Sequence, residues 1–204
     1  MNRVGGQPDR GLWQNLGMTT GFVTRRAMSA DAPALAALVN SAYRGESSKA
    51  GWTTEADLLG GQRVDAEGIT ATIAKAGSVI LLHEQEGAPV ACVLLERTGE
   101  DCYLGMLTVR PTAQSGRLGR RLLDAAEAWV IEHWSSRTMH MTVIVQRVEL
   151  IAWYERRGYR RTGERKPFPY DDKCFGISRR RFAVCRAPKW LFGKSCSSYQ
   201  VQKS

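Results

Sequence analysis

The chain predicts a single α/β domain (α+β layered), with a mixed, mostly antiparallel central sheet flanked by helices. Three observations predict it. Three β-like runs, 78–84, 89–97 and 101–109, follow one another across turns that carry Gly87 with Pro89 and then Gly99, short enough for antiparallel hairpins. The apolar period then changes. Leu118, Leu122, Ala125, Ala126, Trp129 and Trp134 recur at helical spacing, which gives a long amphipathic helix over 115–134. A length of 204 residues with 43% hydrophobic content suits one well-buried core and is short for two.

Caps and breakers place the other elements. Residues 1–20 carry Gly, Pro, Asn and Gln with little apolar periodicity and read as a flexible N-terminal extension, in which Met18 offers a second start. A short strand is expected over 22–26. Ser29 or Asp31 then caps a first helix with Pro33 in its first turn, and Leu35, Leu38, Val39 and Ala42 fall on one face. An irregular polar segment spans 43–52. Thr54 with Asp57 has the spacing of a capping box and opens a short second helix, and another helix covers 65–76. After the long helix come a β-rich run at 139–145 and a short helix at 149–157, stopped by Gly158. The last strands are expected at 159–163 and 181–186. Residues 21–187 are the expected folded domain and 188–204 a loosely attached C-terminal tail.

Composition removes several classes of function. No apolar run approaches the roughly 20 residues needed to cross a bilayer. The early arginine is followed by no apolar stretch of a secretory signal, so a cytoplasmic protein without a membrane partner is expected. Cys92, Cys102, Cys174, Cys185 and Cys196 are odd in number and lack C-x-x-C spacing, while His83, His133 and His140 are scattered. Neither a disulfide framework nor a metal site is expected, and Cys92 and Cys102 read as core thiols. The formal charge of +9, with a pI near 9.6, suits an acidic protein, nucleic acid or a polyanionic cofactor. Much of the excess lies late, at Arg156, Arg157, Arg160, Arg161, Arg165 and Lys166 and again at Arg179, Arg180, Arg181 and Arg186, where a solvated face is the other reading.

The informative feature is a strand, a Pro111 turn, a glycine-containing loop and then the long helix. A helix begins with backbone N–H groups that lack an intrahelical partner, and its dipole adds positive charge there. Gly116 and Gly119 let an anion approach that backbone, and Arg117, Arg120 and Arg121 add cations, so the turn suits a pyrophosphate.

The run from Leu107 to Leu123 (LTVRPTAQSGRLGRRLL) resembles the acyl-CoA-binding motif of the GCN5-related N-acetyltransferase (GNAT) superfamily, and the element order from Phe22 to about Arg186 looks like that fold. The resemblance implies acetyl-CoA as acyl donor and no metal. It places the coenzyme on Leu107, Thr108, Val109, Gln114, Ser115, Gly116, Arg117, Leu118, Gly119 and Arg120. One position departs: the family's middle glycine falls on Arg117, with a glycine one place earlier at Gly116. Either the side chain crowds the pyrophosphate, or the turn shifts by one residue, or Arg117 swings out to pair with a phosphate or the 3′-phosphate; weakened rather than lost affinity is expected. Glu149 to Tyr159 (ELIAWYERRGY) resembles the family's short helix, which makes Tyr154 the proton donor to the departing thiolate. Its alternative role is a core aromatic beside Trp153. Arg147 stands where many members carry an asparagine.

The implied reaction is direct attack of a primary amine of a small molecule or peptide on the thioester, with backbone N–H groups near Leu107–Val109 meeting the carbonyl oxygen. Glu96, Glu46 and Glu55 are the candidates to take the amine's proton; each is also a plausible surface carboxylate. The loop after the first helix commonly walls the acceptor site in this family, and here it offers Arg44, Glu46, Ser47, Ser48 and Trp52, unless it is an ordinary surface loop. Two other readings stay open: a catalytically idle acyl-CoA-binding protein, and a basic nucleic-acid-binding protein. The second lacks helix-turn-helix or zinc-finger spacing, and nucleic acid is not the expected partner. A homodimer is compatible with the sequence.

Overall fold

The computed structural model describes residues 22–44, 59–167, 177–178 and 183–190. Its strands are β1 (Val23–Arg26), β2 (Leu59–Gly60), β3 (Ser78–Gln85), β4 (Ala88–Thr98), β5 (Asp101–Val109), β6 (Thr138–Ile144), β7 (Arg165–Pro167), β8 (Ile177–Ser178) and β9 (Ala183–Trp190). The helices are α1 (Ala32–Tyr43), α2 (Ala66–Ala74), α3 (Leu118–Trp134) and α4 (Val148–Glu155). The main sheet has seven strands in the order β1-β3-β4-β5-β6-β9-β7; β2 and β8 form a separate pair. Among the described strands only β5 and β6 run parallel, as a crossover through α3 requires, and the neighbours on either side are antiparallel.

Alternation along the strands sends side chains to two cores. On one face Val79, Leu81, Val93, Leu95 and Leu104 meet Leu122, Ala126 and Trp129 of α3 and Ile151 of α4. On the other, Ile80, Leu82 and Cys92 meet Leu35, Val39 and Ala42 of α1 and Ile69 of α2. A sheet covered on both faces explains why β3 is buried along most of its length rather than in alternation. Cys92 and Cys102 are buried and free, and burial pushes each thiol up to about 12, so both are inert core groups.

Local chemistry sets the joints. Glu86 and Gly87 both take positive φ between β3 and β4, the conformation a two-residue hairpin needs for its twist. The Asp65 carboxylate accepts from the Gly68 amide at 2.7 Å and caps α2. Asp31 stands at the N-cap of α1 without capping it. Its carboxylate instead receives both terminal nitrogens of Arg25, at 2.7 and 2.8 Å, and the Met28 amide at 2.7 Å.

Several boundaries differ from the sequence reading. The strand expected at 159–163 is irregular, because Gly158 and Gly163 bracket it with left-handed φ and only Tyr159 is buried; the strand forms at Arg165–Pro167 instead. β9 continues to Trp190, past the expected end of the domain, and pairs with β6 as far as Thr138. The β2–β8 pair was not foreseen. The long helix begins at Leu118, since Pro111–Gly116 winds as a 3-10 turn. The helix expected from Thr54 lies outside the described residues.

Candidate active site

The sheet opens where β5 meets β6. Their pairing consists of Cys102 opposite Met139 and Tyr103 opposite His140. Beyond Tyr103 lies a cavity of about 90 Å³, lined from β5 by Tyr103, Met106 and Leu107, from β6 by Thr142 and from α4 by Tyr154. On its other edge β5 changes register against β4: Thr108 pairs with Cys92 while Gly105 pairs with Leu94. That offset places one extra residue in β5, a bulge, and Met106 takes a left-handed φ of 51° there. Two bonds hold it. Thr108 Oγ1 donates to the Met106 carbonyl at 2.9 Å, and the Tyr43 hydroxyl at the end of α1 donates to the Leu107 carbonyl at 2.7 Å. A strained non-glycine residue kept beside a cavity is a mark of functional sites.

The turn into α3 forms the second half. Arg117 precedes the helix with φ 57° and ψ 16°, the left-handed conformation that glycine adopts most easily. The N–H groups of Leu118, Gly119 and Arg120 have no partner inside the helix and carry the positive end of its dipole. A Cβ on Gly119 would stand 3.4 Å from Val109 Cγ2 and 3.8 Å from Trp153 Cζ2. These are ordinary contact distances, so Val109 and Trp153 flank this backbone. The cleft above it measures about 770 Å³ and is walled by Arg117, Arg120, Arg156 and Arg157, with Glu149 the one carboxylate among the described lining residues. Size, open backbone donors and excess cations together fit a large polyanionic ligand such as a coenzyme diphosphate.

Replacing Arg117 with glycine is expected to stabilise the protein. Relief of left-handed strain, about 1–2 kcal/mol, outweighs the extra freedom glycine gives the unfolded chain, about 0.5–1 kcal/mol. The urea midpoint should rise; a lower midpoint would show that the arginine side chain makes contacts glycine cannot replace.

Tyr154 joins the two halves. Tyr43, Leu107, Leu150 and Tyr154 line both cavities. The Tyr154 phenol is buried, and burial pushes its pKa well above the usual phenol range; Tyr43 and Tyr103 push the same way, while Arg147 and Arg157 oppose them. The hydroxyl is therefore a protonated donor at every physiological pH.

The other sequence candidates are distributed unevenly. Leu107, Val109, Gln114, Arg117, Gly119 and Arg120 line the larger cleft, and Gln114 Nε2 donates back to the Val109 carbonyl at 3.3 Å. Thr108 and Leu118 turn their side chains into the protein, and Ser115 and Gly116 complete the 3-10 turn. Glu96 lies on β4 opposite Tyr103 but outside both cavities, with a carboxylate oxygen 2.6 Å from Lys75 Nζ. Arg44 is buried at the end of α1, donates to the Tyr43 carbonyl at 3.3 Å and lines neither cavity. Arg147, at the N-cap of α4, also lines neither. Glu46, Trp52 and Glu55 fall outside the described residues. Sequence reasoning gives no site role to Tyr43, Tyr103 or Trp153, and reads Arg156 and Arg157 only as part of a basic run that suits a polyanion or a solvated face. Tyr43 had a signal: it sits four residues after Val39, on the face α1 buries.

Comparison with known proteins bears on the family and the fold. The description "Acetyltransferase (GNAT) family" matches residues 37–159, more than half of the chain. No curated protein sequence matches significantly. Among solved structures, the chain is similar to the ribosomal-protein-S18-alanine N-acetyltransferase of Escherichia coli, at 14% identity and a TM-score of 0.65 over 87% of this chain and 99% of that one. It is similar to the ribosomal-protein-alanine N-acetyltransferase of Brucella melitensis at 21% identity, TM-score 0.61, over 82% and 99%. A Salmonella typhimurium protein solved with its cofactor acetyl-CoA shares 17% identity, TM-score 0.63, over 88% and 99%. These likenesses are likenesses of fold. Among the described residues no helix is long and apolar enough to cross a membrane, and no cluster of three or more His, Cys, Asp or Glu is placed to hold a metal. With the family match spanning the bulged strand, the α3 turn and the Tyr154 helix, the chain belongs to the acetyltransferase (GNAT) family, acyltransferases whose donor is acetyl-CoA.

Proposed function

We propose that this protein is a cytoplasmic N-acetyltransferase that transfers the acetyl group of acetyl-CoA directly to a primary amine of a small molecule or peptide. One observation carries the reading: the polyanion-sized cleft and the small cavity meet at Tyr154 and Leu107, so a ligand in each would touch at that junction.

Acetyl-CoA, when bound, supplies a thioester carbonyl for attack by the amine. The backbone of Gln114, Ser115, Gly116, Arg117, Leu118, Gly119 and Arg120 takes the diphosphate, with the guanidinium groups of Arg117 and Arg120 beside it. Backbone donors at the bulged end of β5, Leu107 outside the β4 register and Val109 beside the gap to β6, face the carbonyl oxygen and meet charge as it grows there, while Thr108 stays paired with Cys92. Tyr43 fixes the Leu107 peptide plane through its 2.7 Å bond, and the Tyr154 hydroxyl gives a hydrogen bond to the leaving sulfur.

The acceptor enters from the smaller cavity, whose walls bring the Tyr103 hydroxyl 3.2 Å from Thr142 Oγ1. Those hydroxyls relay the amine's proton to water. Glu96, tied to Lys75 outside the cavity, has no part in this route.

Calorimetric titration with acetyl-CoA tests the reading, followed by a screen of amino acids, polyamines, aminoglycosides and peptide N-termini for released thiol. Saturable binding below millimolar, with thiol release that depends on the amine, is expected. No saturable binding at millimolar coenzyme would sink it. Binding without turnover on any amine would instead favour an idle coenzyme-binding protein.

A further inference from the structure

The arginines at the far end of α4 are arranged for a second anion. The Arg157 guanidinium carbon stands 3.4 Å from the centroid of the Trp153 ring, and one terminal nitrogen donates to the Trp153 carbonyl at 2.6 Å. Its Nε is buried without a hydrogen-bond partner. The same Trp153 ring reaches toward Gly119, 3.8 Å from where a Cβ would lie, so Arg157 is held one indole away from the start of α3.

Charge makes the arrangement costly in isolation. Arg120 and Arg156 repel Arg157 and, after burial, are the causes that lower its pKa. Asp124 offsets part of that repulsion, though it also stands 3.7 Å from Arg120, while Glu155 is 2.8 Å from Arg161 and Glu149 is the one carboxylate among the described lining residues of the cleft. A guanidinium laid flat on an aromatic ring presents its remaining donors in a fixed fork, which suits a phosphate better than a mobile ammonium would.

Coenzyme A carries two separate anionic groups, a diphosphate and a ribose 3′-phosphate. The first is met by the helix start. We infer that Arg157, seated on Trp153 and flanked by Arg156, receives the 3′-phosphate, so that the protein selects coenzyme A over its 3′-dephospho form. The inference rests on the reading of the larger cleft as the coenzyme site.

Calorimetric titration of the full chain with coenzyme A and with 3′-dephospho-coenzyme A tests it. The native protein should bind coenzyme A more than about tenfold tighter. Arg157→Gln should lose most of that preference while its affinity for the dephospho form stays within about twofold, and Arg156→Gln, at an exposed position, should lose part of it. Arg157→Lys keeps the charge without the flat stack and should fall between. Equal binding of the two ligands by the native protein overturns the inference. So does an Arg157→Gln variant that weakens both ligands equally, which would assign the residue to the diphosphate or to the fold. Failure to bind either ligand strikes instead at the coenzyme site itself.

Discussion

A Tyr154→Phe variant is expected to lose about a hundredfold in kcat while its affinity for acetyl-CoA stays within about twofold of the native value. The substitution removes one oxygen and little else. The Tyr154 ring packs edge-on against Trp153 at 4.9 Å and against Tyr159 at 5.6 Å, contacts that phenylalanine retains. The effect should therefore appear in turnover rather than in folding or coenzyme binding. The pH profile gives a second readout. Burial raises the phenol pKa well above its usual range, so the hydroxyl stays protonated through the alkaline limb of any accessible profile. That limb should be unchanged in the variant. A variant within about threefold of native kcat would return Tyr154 to the role of a core aromatic. Loss of an alkaline limb near pH 8 to 9 would mean that the phenol titrates and acts as an acid by full proton transfer.

What the sequence made legible follows from how much of each feature is periodic. The helix α3 was readable because Leu118, Leu122, Ala126 and Trp129 repeat at one face and are all buried. The three hairpin strands were readable because their apolar runs are bounded by turn residues, and the Gly119 turn because a motif names its residues. Features without a period were not. A two-residue strand such as β2 has no alternation to detect, and its partner β8 is far away in the chain. Nothing about methionine announces a left-handed φ, so the bulge at Met106 is visible only in the register of β4 against β5. Arg117 is intermediate. The sequence marked it as the departure from a glycine, and the backbone gives the reason: the position is left-handed, which glycine meets at lower cost. Glu96 is intermediate in another way: its place near a strand end makes it a candidate base, and the register sets it opposite Tyr103 with Lys75 Nζ 2.6 Å from its carboxylate, a contact no sequence pattern announces. Likewise Arg156 and Arg157 read as part of a solvated basic run, and only the fold of α4 against α3 brings them to the cleft.

Outside the cleft, His83 should make the protein lose stability between pH 6.5 and 4. The side chain is 4% exposed on β3, with Nδ1 2.8 Å from Thr24 Oγ1 on β1 and Nε2 buried without a partner. The Phe22 ring lies 6.5 Å away. Burial, and then the positive charge of Arg121, push its pKa down to about 4. An unfolded histidine titrates near 6.5, so between those values the unfolded chain binds more protons than the folded one. Stability therefore rises with pH across this window, by about 1.4 kcal/mol per unit and roughly 3 kcal/mol in all. Acid also protonates carboxylates such as Asp31, which Arg25 holds below the usual range, and that loss adds to the same trend. Comparison with His83→Gln separates the two, because glutamine does not titrate while Asp31 is common to both proteins. The native protein should be the more stable at pH 8, and its advantage in urea midpoint should shrink as pH falls from 6.5 toward 4.5. A gap that stays constant from pH 8 to 5 would mean that His83 accepts a proton in the folded state as readily as in the unfolded one. The buried Nε2 would then have to find water or an anion that neutral imidazole does not need.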